Sequence, residues 1–122
     1  MTFDAITKDL KVGKYSPIYL LHGDESYYID KLVDYIEKHV LTEGEKSFNQ
    51  AILYGKDSDF KMVVDEARQF PMMSSHRVVI VKEAQDMKTL KKLESYAANP
   101  SPQSIVVLAH KHKKFDLSLI HI

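Results

Sequence analysis

Apolar residues fall into two kinds of run along this chain. Some recur every three or four positions, the period that gathers side chains on one face of a helix. Phe3, Ile6 and Leu10 do so and predict a short opening helix that stops near Gly13. Ile29, Leu32, Val33, Ile36 and Val40 form the stripe of a long helix, with Asp24 placed to cap its start. Phe60, Val63, Val64 and Ala67 mark another helix, capped by Asp57 or Ser58, and Leu90, Leu93 and Ala97 mark a further one that ends at Asn99-Pro100. Other apolar runs are unbroken. Pro17 to Gly23, Val78 to Val81 and Ile105 to Leu108 show no alternation and predict strands buried on both faces. Phe48 to Tyr54, closed by Gly55, reads as one more strand. Strands that alternate with amphipathic helices imply an α/β fold, a three-layer parallel sheet with helices on both faces.

One stretch breaks the pattern. Between the helix ending near Ala67 and the strand starting at Val78 the chain reads Phe70-Pro71-Met72-Met73-Ser74-Ser75. Large apolar groups clustered in a connection contact either the core or a partner. A residue before proline is disfavoured in helical geometry, so the helix must end by Phe70. Phe70 lies three positions after Ala67 and could complete the core stripe, which leaves it between core and partner. Met72 and Met73 are adjacent, and loop neighbours rarely both point inward. Their unbranched, polarizable side chains suit an irregular partner pocket. Burying three such side chains is worth roughly 1.5–3 kcal/mol each, before ordering costs.

Composition narrows the function classes. A chain of 122 residues, 44% apolar and 28% charged, is read as one ordinary globular domain. It has no cysteine, so disulfides, thiol nucleophiles and Cys-ligated zinc are excluded. Basic and acidic residues balance at 17 each, which gives no global attraction to nucleic acid or anionic lipid. Without a long apolar segment or a leader-like start, no membrane association is expected and the location is read as cytoplasmic.

The strand ends, where open parallel sheets bind ligands, offer little chemistry. After the first strand, a phosphate-cradling loop would need glycine, lysine and a hydroxyl residue where Tyr28, Ile29 and Asp30 stand. Asp24 and Glu25 would repel a polyphosphate. After the third strand, Lys82 occupies the place that a magnesium-binding acid or a phospho-accepting aspartate would need, and Lys82 and Glu83 read as solvated strand-end residues. The competing class, a nucleotide- or phosphate-dependent enzyme or a receiver-like domain, is disfavoured by these residues. His110 and His112 could share a metal, but no third ligand is evident, so no metal or other cofactor is expected. Lys111, Lys113 and Lys114 form a basic patch that reads as a solvated loop or a contact to a DNA backbone.

Two segments carry a family resemblance: Pro17-Ile18-Tyr19-Leu20-Leu21-His22-Gly23-Asp24-Glu25 with Tyr28-Ile29-Asp30, and Phe70-Pro71-Met72-Met73-Ser74-Ser75-His76-Arg77 with Val78 to Val81. Together they resemble the delta subunit family of the bacterial DNA polymerase III clamp loader, over about Ser16 to Asp116. The resemblance implies a degenerate P-loop NTPase (AAA+-like) domain without a functional nucleotide site. It implies no enzyme activity for the domain by itself, within a parent holoenzyme that is a DNA-directed DNA polymerase. It implies a partner, the ring-shaped sliding clamp, bound through a hydrophobic plug that by position is Phe70, Met72 and Met73, so that the ring can be opened and loaded onto DNA. Delta prime and gamma/tau-type subunits would be met through regions not in this chain. Methionines stand at two positions where leucine and phenylalanine are more usual. Family chains are longer, with lid and collar domains, so residues 1–116 are expected to be the N-terminal clamp-binding domain of a longer protein. Residues 117–122 are expected to be a non-native or disordered tail.

Overall fold

The computed structural model describes residues 3–23 and 26–111. Asp24, Glu25, His112, Lys113, Lys114 and the expected tail at 117–122 lie outside the described residues, so the readings placed on them stay as expectations.

The order of elements is α1 (Phe3–Lys11), β1 (Ile18–Gly23), α2 (Ser26–His39), α3 (Glu43–Asn49), β2 (Gln50–Tyr54), α4 (Phe60–Arg68), β3 (Arg77–Lys82), α5 (Glu94–Ala98) and β4 (Ser104–Lys111), with short 3-10 turns at 55–57, 84–86 and 90–93. The strands form one parallel sheet in the order β1-β4-β3-β2. Val78 to Val81 of β3 and Ile105 to Leu108 of β4 are almost wholly buried, as unbroken apolar runs at a sheet centre require. Successive residues feed opposite faces. Tyr19, Leu21, Val78, Ile80, Ile105 and Val107 pack with Ile6 and Leu10 of α1 and Ile29, Leu32, Val33 and Ile36 of α2. Leu20, Val79, Val81, Val106 and Leu108 pack with Val63 and Ala67 of α4 and with Leu90, Leu93 and Tyr96. The three-layer α/β architecture is therefore observed as expected.

Three local expectations need correction. Phe48 and Asn49 are helical, because Thr42 opens α3 with a capping box: its hydroxyl accepts from the Glu45 N–H while the Glu45 carboxylate accepts from the Thr42 N–H. The cap of α4 is Asp59 rather than Asp57 or Ser58, its carboxylate accepting from the Met62 N–H at 3.0 Å. The last strand runs on to Lys111, so His110 is buried within β4 instead of opening a solvated loop.

Because the sheet is parallel, all strand starts share one edge and all strand ends the other. The Phe70–Ser75 stretch leads into β3 at the amino edge. The ligand-binding edge of such folds is the opposite, carboxyl edge.

Candidate functional site

At the amino edge, the loop from Phe70 to Met73 presents its apolar side chains to solvent. Phe70 is 84% exposed, Met72 56% and Met73 95%. Phe70 does not complete the α4 stripe: the helix stops at Arg68, Gln69 is extended, and Pro71 keeps Phe70 out of helical geometry. The ambiguity over Phe70 thus resolves toward the surface. Phe48, at the end of α3 on the same edge, is 63% exposed.

Beneath these side chains lies a polar frame. Asn49 is fully buried, and its amide grips the loop backbone at both polar atoms, accepting from the Met72 N–H at 2.6 Å and donating to the Met72 carbonyl at 2.7 Å. It also donates to the Glu45 carbonyl at 3.0 Å. Arg77, the first residue of β3, donates from Nε to the Glu66 carbonyl and from Nη1 to the Phe48 carbonyl, both at 2.9 Å, and pairs through Nη2 with the Glu66 carboxylate. Ser104 Oγ donates to the Ala67 carbonyl at 2.6 Å. The last carbonyls of α4, left without helical partners, are thereby satisfied by side chains from β3 and β4. Arg68 is itself bound to Ser101 and the Asn99 carbonyl and lies over the Tyr96 ring. The Glu45 carboxyl is held below its usual pKa, first by the Thr42 N–H and then by the Ser74 and Thr42 hydroxyls. Met73 adopts a left-handed backbone, φ 56°, unfavourable for a side chain with a Cβ and kept by these surrounding contacts.

Sequence reasoning found the apolar side chains and missed the frame. The capping-box spacing Thr42 to Glu45 was an available signal for α3. Asn49 to Met72 spans 23 positions and has no local signature.

The carboxyl edge is closed by ion pairs. The Lys111 ammonium lies between Asp30 (2.8 Å) and Glu83 (3.1 Å), and Lys82 pairs with Glu37 (3.1 Å). Gln85 donates to Glu83 and accepts from the Lys111 backbone N–H, each at 2.9 Å. Asp30, Glu37, Lys82, Glu83 and Lys111 line an open groove of about 400 Å³ with Tyr27, Lys31 and Asp34. Lys82 and Glu83 are therefore partnered while still partly exposed to solvent, and the Lys111 charge is matched by protein carboxylates. Among the described residues, no three His, Asp or Glu are grouped to hold a metal ion.

The triad has a pH signature. The Glu83 carboxyl is lowered from 4.5, chiefly by the Gln85 hydrogen bond and then by Lys111, while Lys111 is raised from 10.5, chiefly by Asp30. A lowered carboxyl adds stability above its ordinary pKa and loses it as pH falls through the folded value. A raised ammonium adds stability below its ordinary pKa and loses it as pH climbs past the folded one. Glu83→Gln should therefore flatten the loss of stability below about pH 4.5 without changing its shape between pH 6 and 9. Urea unfolding from pH 3 to 9 checks this, and an acid limb as steep as wild type would contradict it.

Comparison with known proteins gives consistent results. The profile of the family described as DNA polymerase III, delta subunit matches residues 19–119. DNA polymerase III subunit delta of Bacillus subtilis is 32% identical over 95% of this chain and 36% of its own length. The solved structure of the Bacillus subtilis DNA clamp loader delta protein superposes with a TM-score of 0.81 at 28% identity, over 97% of this chain and 38% of that one. A Thermotoga maritima protein related to the DNA polymerase III gamma subunit shares the fold, with a TM-score of 0.54 at 15% identity, over 91% of this chain and 40% of its own. The chain thus spans a little over a third of the length of these delta relatives.

Proposed function

The chain belongs to the DNA polymerase III delta subunit family, and from that membership we propose that residues 1–116 form the clamp-engaging domain of a clamp loader used in DNA replication. The domain docks onto the ring-shaped sliding clamp by inserting Phe70, Met72 and Met73 into an apolar pocket, and this binding favours an open ring. Other loader subunits, of the delta prime and gamma/tau type, meet the longer protein elsewhere. No catalytic step belongs to this domain.

The observation that carries the reading is the exposure of three large apolar side chains on a loop whose backbone is held by buried polar contacts. A loop that served the core would turn these groups inward, and an unheld loop would pay an ordering cost on docking.

The test is a calorimetric titration of the chain against the sliding clamp of its source organism. Replacing Met72 and Met73 together by serine should weaken binding about 30-fold, equivalent to about 2 kcal/mol, with no change in the far-ultraviolet circular dichroism. Equal affinity of the folded variant and wild type would overturn the assignment.

A further inference from the structure

The loop that carries Phe70, Met72 and Met73 is fixed to one short helix through a single side chain. Asn49, at the end of α3, takes both backbone polar groups of Met72, and beyond Met73 the Ser74 hydroxyl donates to the His76 carbonyl at 3.2 Å. The Asn49 attachment immediately precedes Met73, the residue with the left-handed backbone, and the Ser74 turn immediately follows it. Asn49 is fully buried and spends its remaining donor on the Glu45 carbonyl, so one side chain joins the helix to the loop. The helix end is anchored in turn by Arg77, through the Phe48 carbonyl, to the start of β3.

A left-handed methionine exposed at 95% has no packing of its own to hold it. Backbone strain of this kind persists only where neighbours over-determine it. The neighbour that does so here is Asn49, which grips the residue before it. We propose that Asn49 is the positioning residue of the docking loop: it holds the Met72 backbone so that the apolar side chains stand outward in the docking-competent arrangement before any partner arrives. This inference rests on the docking reading above and adds that the loop binds as a preformed element. Without Asn49 the same side chains remain on the loop, but they occupy the competent arrangement for only part of the time. Apparent affinity then falls by that fraction, and the loss lies in the association rate, because the complex once formed keeps all its contacts.

The test compares Asn49→Ala with Met73→Ser in surface-capture kinetics against the sliding clamp, at a temperature well below both melting points. Asn49→Ala should lower the association rate about 10-fold and leave the dissociation rate within about twofold of wild type. Met73→Ser, which removes contact area, should act mainly by speeding dissociation. In parallel, the Met72 amide should lose hydrogen-exchange protection in Asn49→Ala while the amides of β3 and β4 keep theirs. If Asn49→Ala does not stay folded, Asn49→Ser keeps one short hydroxyl donor and acceptor without burying a charge, and should show a loss of the same kind. A merely structural Asn49 would lower the melting temperature and leave both rates of the folded protein unchanged, which would overturn the proposal. Unchanged rates in Met73→Ser would instead overturn the docking reading itself.

Discussion

Arg77→Ala should destabilise the domain by about 3–5 kcal/mol, the range for breaking one side of a buried ion pair. The guanidinium is nearly inaccessible and serves three acceptors: the Glu66 carbonyl, the Phe48 carbonyl and the Glu66 carboxylate. Truncation leaves two carbonyls without their donors and a partly buried carboxylate without its counter-charge. Each orphaned group costs about 1–3 kcal/mol, and with the Glu66 carboxylate still partly hydrated the three together reach that range from the lower end. Against a typical total of about 5–15 kcal/mol, that is a large share of the stability of a domain of this size. Urea unfolding measures it directly. Replacing both partners, Arg77→Met with Glu66→Met, should cost less than Arg77→Ala alone, because no charge is then left unpaired. A loss under about 1 kcal/mol for Arg77→Ala would mean that water reaches these acceptors and that the frame under the loop is wet.

The same residue illustrates what the sequence could and could not disclose. The unbroken β-branched run from Val78 to Val81 can only be a strand covered on both faces, and the helical stripes of α1, α2 and α4 leave little choice about what covers it. Fold class was therefore legible from local periodicity. The apolar loop was legible too, because hydrophobicity in a connection is a local anomaly. Arg77 and Asn49 were not, since a residue in a polar stretch before a strand, or one read as part of a strand, signals nothing until distant carbonyls are brought to it. Phe70 misleads in the other direction: its spacing from Ala67 fits the core stripe, yet the helix stops at Arg68 and Pro71 keeps Phe70 turned away from that face. The carboxyl edge was half legible. Tyr28, Ile29, Asp30 and Lys82 argued against the usual phosphate chemistry, but the pairing of Lys111 with Asp30 and Glu83 depends on β4 running further than its apolar run.

Gly55→Ala should cost about 3 kcal/mol, at the upper end of what an overpacked site usually loses. Gly55 opens the turn after β2 and lies against the turn after β3. A Cβ there would stand 2.2 Å from the Glu83 carbonyl oxygen, 3.0 Å from its carbon and 3.1 Å from the Met87 nitrogen. All three atoms are backbone, so no side chain can swing aside and one of the turns must move. Glu83 has little freedom to yield: its own backbone is left-handed, φ 53°, and its carboxylate is tied to Lys111 and Gln85. The displaced turn would therefore loosen the ion-pair network that closes the carboxyl edge, and Gly55→Ala should lose part of the acid-sensitive stability that Glu83 supplies. The proposed docking loop stands at the other end of strands about 20 Å long. At temperatures where the variant is folded, its affinity for the sliding clamp should therefore match wild type, whereas Arg77→Ala, which loosens the amino edge, should weaken it. Thermal unfolding and a clamp titration on the two variants separate the edges. A wild-type melting temperature for Gly55→Ala would show that the turns have room to part, and reduced clamp affinity in its folded state would show that the two edges are mechanically coupled through the sheet.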